Sequence, residues 1–218
     1  MAIISLTERY SQCLLQLHNL MVIEKLLTYI PKAAHIQIES LLKGSHVDIL
    51  VTKRRLTKHG DFRSLPNKNP TITINNSLNP YRFLITLLHE LAHFSVFQKY
   101  SHRVKPHGLE WKRAYQETLF PFLNSIIFPD PICSVLARHM KNPKASTDSD
   151  FDLIMALKAY DELKGQTYIF EIEDGITFTT SNGRRFIKIR KRRKRIECKQ
   201  IDSGRIYLFS PHAEIILH

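Results

Sequence analysis

Five residues restrict this chain more than any others: His89-Glu90-Leu91-Ala92-His93, at the end of the apolar run Tyr81-Arg82-Phe83-Leu84-Ile85-Thr86-Leu87-Leu88. On an α-helix, residues four apart share a face, so His89 and His93 can aim both imidazoles at one ion. Glu90 then lies beside that ion, free to handle protons. Two neutral nitrogen ligands with a carboxylate next to a bound water is the arrangement zinc-dependent hydrolysis needs. The segment must therefore be helical, and Asn79-Pro80 supplies its start, with Asn79 as N-cap and Pro80 in the first turn.

A catalytic zinc takes three protein ligands and keeps a fourth position open. Downstream of His93 the candidates are His102, His107, Glu110 and Glu117. A metzincin would need Gly and His where this chain has Val96 and Lys99, which excludes that class. A carboxylate from a later helix points to Glu117. The remaining option is His107, which Pro106 and Gly108 bracket with turn chemistry just before a helical stretch over residues 109–120.

Three separated elements carry a family resemblance. His-Glu-x-x-His, an interval of thirteen residues, and then His107-Gly108-Leu109-Glu110-Trp111-Lys112 resemble the SprT-like family of zinc metalloproteases. The segment Thr71-Ile72-Thr73-Ile74-Asn75-Asn76-Ser77-Leu78 is similar to that family's strand and its approach to the active-site helix. The likeness spans residues 47–113. It implies a zincin-like protease core, Zn²⁺ held by His89, His93 and His107, Glu90 as catalytic base, and substrates that are DNA-associated or cross-linked to DNA, with single-stranded DNA preferred as partner in a repair setting. The chain departs from the family pattern in one respect. Its cysteines, Cys13, Cys133 and Cys198, are far apart, so the four-cysteine zinc ribbon of many members cannot form.

Elsewhere the patterning predicts an α+β fold. Apolar residues at helical spacing predict a helix over residues 6–29 and another from Pro31 to about residue 42. Strands are expected at 46–52, in a hairpin arm at 53–64, and at 71–75, together a small antiparallel sheet. Helices follow the His107 turn and run from 132 to about 140. Trp111 reads as a core anchor against the motif helix, and Tyr115 as packing rather than oxyanion stabilisation. Residues 1–145 are expected to form the metalloprotease domain, 146–164 a linker with a short helix, and 165–218 a basic β meander with turns at Asp174-Gly175, Asn182-Gly183 and Ser203-Gly204.

Charge is uneven. The net is +12, and residues 164–218 hold twelve Lys and Arg against six Asp and Glu. Such a segment suits a polyanionic partner. The candidate contacts are Arg184, Arg185, Lys188, Arg190, Lys191, Arg192, Arg193, Lys194 and Arg195, with Phe186, Lys188 and Arg190 expected on one strand face. Three unpaired cysteines, no signal-peptide organisation and no spanning apolar run suggest a cytoplasmic protein without a membrane partner. The rival to a protease is a nucleic-acid-binding protein with structural zinc and vestigial activity. Structural sites usually close with four ligands, and such a site would have no use for Glu90.

Overall fold

The computed structural model describes residues 22–55, 57–161 and 167–217. It divides into two units, Met1–Asp161 and Glu162–His218. The first comprises helices α1 (His35–Leu42), α2 (Pro80–Tyr100), α3 (Leu109–Leu119), α4 (Ile132–Met140) and α5 (Phe151–Lys158), with strands β1 (Asp48–Thr52), β2 (Gly60–Arg63) and β3 (Thr71–Asn75). The helix expected from residue 6 is described only over 22–27; Leu26 within it and Ile30 beyond its end are buried in the core. The mixed α+β composition is as expected.

Helix α2 organises the first unit. Asn79 caps it by accepting a hydrogen bond from the Arg82 N–H at 2.9 Å, and Pro80 opens its first turn. Every residue from Arg82 to Ala92 is buried, so the helix runs through the core rather than over it. That burial explains why its apolar run has no polar face. The Asn79 amide also donates to Leu157 O at 2.9 Å and to Asp161 Oδ1 at 2.6 Å, tying the end of α5 to the start of α2. Leu153, Ala156 and Leu157 of α5 join the main core. The segment grouped with the linker on sequence grounds thus packs as part of the first unit, with Asp150 capping α5 through the Leu153 N–H.

The sheet corrects the expected topology. Its order is β1-β3-β2: β1 pairs parallel to β3, and β2 pairs antiparallel to β3 on the other side. The sheet is mixed, not antiparallel, because β1 runs parallel to β3 and β2 takes the other side of β3 instead of folding back on β1. Arg55 pins that arrangement, donating to Asn75 Oδ1 and Thr73 Oγ1 at 2.8 Å each, while the Asn75 amide donates to Arg55 O and Lys58 O. Strand β3 is therefore central, with Ile72 and Ile74 fully buried, and β2 is a free edge among the described residues.

The second unit is β-rich. Strands β5 (Thr177–Thr179), β6 (Arg185–Arg192), β7 (Arg195–Gln200) and β8 (Ile206–Phe209) form an antiparallel meander, and β4 (Thr167–Tyr168) pairs with β9 (Glu214–Ile215). Within the span expected to be a β meander, Ile169–Glu171 form a 3₁₀ turn. A small separate core gathers Ile169, Phe178, Phe186, Ile196, Cys198 and Ile215. Among the described residues no helix is long and apolar enough to cross a membrane.

Candidate active site

The structure brings three imidazoles to one point. Nε2 of His93 lies 3.0 Å from Nε2 of His107, which lies 3.3 Å from Nε2 of His89. Tetrahedral zinc at 2.0–2.1 Å from each nitrogen needs ligand nitrogens about 3.3 Å apart, so the donor set fits that ion. Burial, with the neighbouring imidazoles, lowers the His89 pKa to about 3 and the His93 pKa to about 4, and burial lowers that of His107. All three rings are neutral at neutral pH, which leaves their lone pairs for a metal.

Local chemistry explains how His107 arrives. Gly108 N–H donates to Lys105 O at 2.9 Å, closing a turn with Pro106 second and His107 third. His107 has φ +56°, the left-handed backbone that the third place of a type II turn requires. Gly108 then caps α3. A Cβ there would meet Lys105 O at 2.9 Å, so only glycine fits without moving the turn. Trp111, one turn into α3, packs against all three rings, with centroids 4.7 Å from His89, 5.3 Å from His93 and 4.7 Å from His107. It is 1% exposed and acts as a wall of the site. Tyr115 is fully buried behind His89, too deep for its hydroxyl to meet a substrate.

Glu90 is 7% exposed. Burial and the charge of Asp61 push its carboxyl up to about 8, against the opposing pull of Arg55, a backbone hydrogen bond from Phe62, and Lys58. A cation held by the histidines favours the ionised form. The Phe62 ring lies parallel to His93 at 6.4 Å and tilts against Phe94 and Phe97.

The other candidates fall elsewhere. Among the described residues the metal-competent group is His89, His93 and His107, without His102, Glu110 or Glu117. Glu117 and His102 are exposed. In the second unit, Lys188 leaves the cationic face. It is 8% exposed, donates to Ile172 O at 2.7 Å and pairs with Asp174 at 3.2 Å. Phe186 is also inside, against Phe178 and Phe209. A bulge at Ile189 turns Arg190 back outward, where it meets Glu197. Phe186 and Lys188 do share a face, but it is the inner one, and the single-residue bulge at Ile189 takes Arg190 off it. Arg185 pairs with Asp202, and Arg184 and Lys191 to Arg195 are exposed.

Residues that sequence reasoning missed are Gly60, Phe62 and Arg55. Their only signal was a short Gly-x-Phe segment with no periodicity of its own. No curated protein matches the chain. Residues 12–124, a little over half the chain and including all three histidines and Glu90, match the SprT-like family model, and the chain belongs to the SprT-like family.

Proposed function

We propose that this chain is a zinc-dependent endopeptidase acting on proteins associated with or cross-linked to DNA. The observation that carries the peptidase reading is the convergence of three neutral imidazoles with a buried carboxylate beside them. A zinc ion on His89, His93 and His107 would supply Lewis acidity and lower the pKa of its water toward ~7. Glu90 is the general base: its carboxylate accepts the attacking water's proton and returns it to the departing amine. Trp111 and the Phe62 ring flank the imidazoles and limit their exposure to bulk water. The edge of β2 runs beside the motif helix and, apart from the Phe62 N–H turned to Glu90, suits an extended peptide added as a further strand. Strand β3 has neighbours on both sides and so cannot take that role.

The DNA part rests on the second unit's charge. Arg185 and Arg190 have acidic partners, whereas Lys191, Arg192, Arg193, Lys194 and Arg195 surround the β6–β7 turn with no acidic side chain paired to them among the described residues. Arg184 adds to this exposed charge. No aromatic is exposed along the hairpin, so the contacts we propose are to phosphates rather than to stacked bases. The test is cleavage of a DNA-binding protein by the purified zinc-loaded chain, with and without single- or double-stranded DNA, beside Glu90→Gln. Loss of cleavage in the variant supports the base assignment. Equal cleavage refutes it, and cleavage indifferent to both DNAs refutes the DNA part.

A further inference from the structure

Strand β2 runs along α2 with a residue size gradient that matches the site. Its alternate residues Gly60 and Phe62 face the helix. Gly60 lies so close that an added Cβ would sit 2.8 Å from Glu90 Oε1, 3.0 Å from Glu90 Cγ and 2.7 Å from Thr86 Cγ2. Phe62, two residues on, packs on His93, Phe94 and Phe97. The spacing corresponds: the rise between alternate strand residues is roughly 6.6 Å, and the rise from Glu90 to Phe94 along the helix is about 6 Å.

The hydrogen-bond phase of the sheet adds a second element. Asn75 N–H donates to His59 O at 2.9 Å, so His59 and Asn75 form a hydrogen-bonded pair. In an antiparallel ladder such pairs alternate with pairs whose polar groups point away. Gly60↔Ile74 and Phe62↔Ile72 are therefore the outward pairs, and the Phe62 N–H points off the free edge. That N–H acts on the Glu90 carboxylate, favouring its charged form.

We propose that β2 positions the catalytic base, with Gly60 and Phe62 as positioning residues. The absent side chain at Gly60 provides the space the carboxylate occupies, the Phe62 N–H favours its charged form there, and the Phe62 ring braces His93. The conformation of Gly60 does not require glycine, since its φ is not left-handed. Close approach alone requires it. Glycine within a strand weakens that strand, so its presence here marks a contact rather than a turn.

The inference rests on Glu90 being the base. Its test uses Gly60→Ala and Gly60→Ala/Thr86→Ser in the zinc-loaded full chain. Serine keeps the buried hydroxyl bond of Thr86 to Arg82 O and removes the methyl that the new Cβ would strike. In both variants kcat is expected to fall on the order of 10²-fold, the scale of an ångström's misplacement, with KM within about threefold and zinc content unchanged. The second substitution should recover melting temperature but not kcat. The Phe62 amide resonance, followed by NMR, should move in Gly60→Ala as it does in Glu90→Gln. Recovery of kcat to within threefold in the double variant, or an unmoved Phe62 amide in Gly60→Ala, overturns the proposal. Full activity in Glu90→Gln would instead overturn the base assignment, while the Phe62 amide would still report whether β2 holds that side chain.

Discussion

Replacing Asn79 with Ala removes three hydrogen bonds at one residue that is itself 3% exposed. The first is the cap: its side-chain oxygen accepts from Arg82 N–H at 2.9 Å, and losing such a cap costs about 1 kcal/mol. The second is the bond from its amide to Leu157 O at 2.9 Å in a buried setting. Leaving that carbonyl unsatisfied costs roughly 1–3 kcal/mol. The third, to Asp161 at 2.6 Å, is partly exposed and adds little to the sum. A loss of about 2–4 kcal/mol follows, or roughly 4–16 °C in melting temperature for a chain of this size. Asn79→Asp discriminates between the contributions. It keeps the cap acceptor and favours the helix N-terminus, yet it loses the amide donor and sets a carboxylate against Asp161. It should be destabilised by the second component alone plus that repulsion. Zinc content should survive in both, because Asn79 lies about 15 Å along the helix from His89. Urea unfolding of the zinc-loaded chain measures the difference. A loss below about 0.5 kcal/mol in Asn79→Ala would refute the view that this residue locks α5 to the motif helix.

Three further outcomes are expected. Gly108→Ala should lower zinc affinity by roughly 10-fold or more, the scale of second-shell changes, because its methyl strikes Lys105 O and displaces the turn that carries His107; metal competition assays would read it, and unchanged affinity would count against the turn as the source of that ligand's placement. Burial acts to raise the Asp150 carboxyl, but the His139 ring at 2.9 Å, the Leu153 N–H and the charges of His139 and Lys144 hold it below its ordinary 3.8. Its stabilising contribution is therefore present above 3.8 and lost as pH falls through the depressed folded value. Asp150→Asn, which keeps an N-cap, should cost about 1 kcal/mol at pH 6 and progressively less below pH 3.8 in denaturant titrations; a pH-independent difference would contradict the linkage. Changing Arg192, Arg193 and Arg195 to Ser should reduce the slope of log affinity against log salt by about 2 for single-stranded DNA, from three lost phosphate contacts. An unchanged slope in filter binding would place any contact elsewhere.

Much of the helical skeleton was legible from local chemistry. Asn79-Pro80 marked the start of α2, the spacing of His89 and His93 marked it as helical, and Ile132–Met140 was expected as a helix. Strand β3 matched its alternating Thr-Ile pattern residue for residue. The partner of β2 was not legible, because Gly60–Arg63 is short and half-buried and its pairing depends on Arg55 bonding across to Asn75 and Thr73. Likewise alternation correctly puts Lys188 with Phe186 but does not say that this face is the buried one, and read without the bulge at Ile189 it assigns Arg190 to the wrong face.

The amino-acid sequence by itself determined that His89, Glu90 and His93 share a helix, and that Pro106-His107-Gly108 forms a tight turn at the head of another, since both follow from backbone geometry within a few residues. Only the tertiary structure decided that His107 meets the other two imidazoles, that Gly60 and Phe62 reach Glu90, and that Lys188 is turned inward. Those contacts join segments from 14 to 30 residues apart, and their geometry depends on which strands pair and which helix faces pack, which no local pattern encodes.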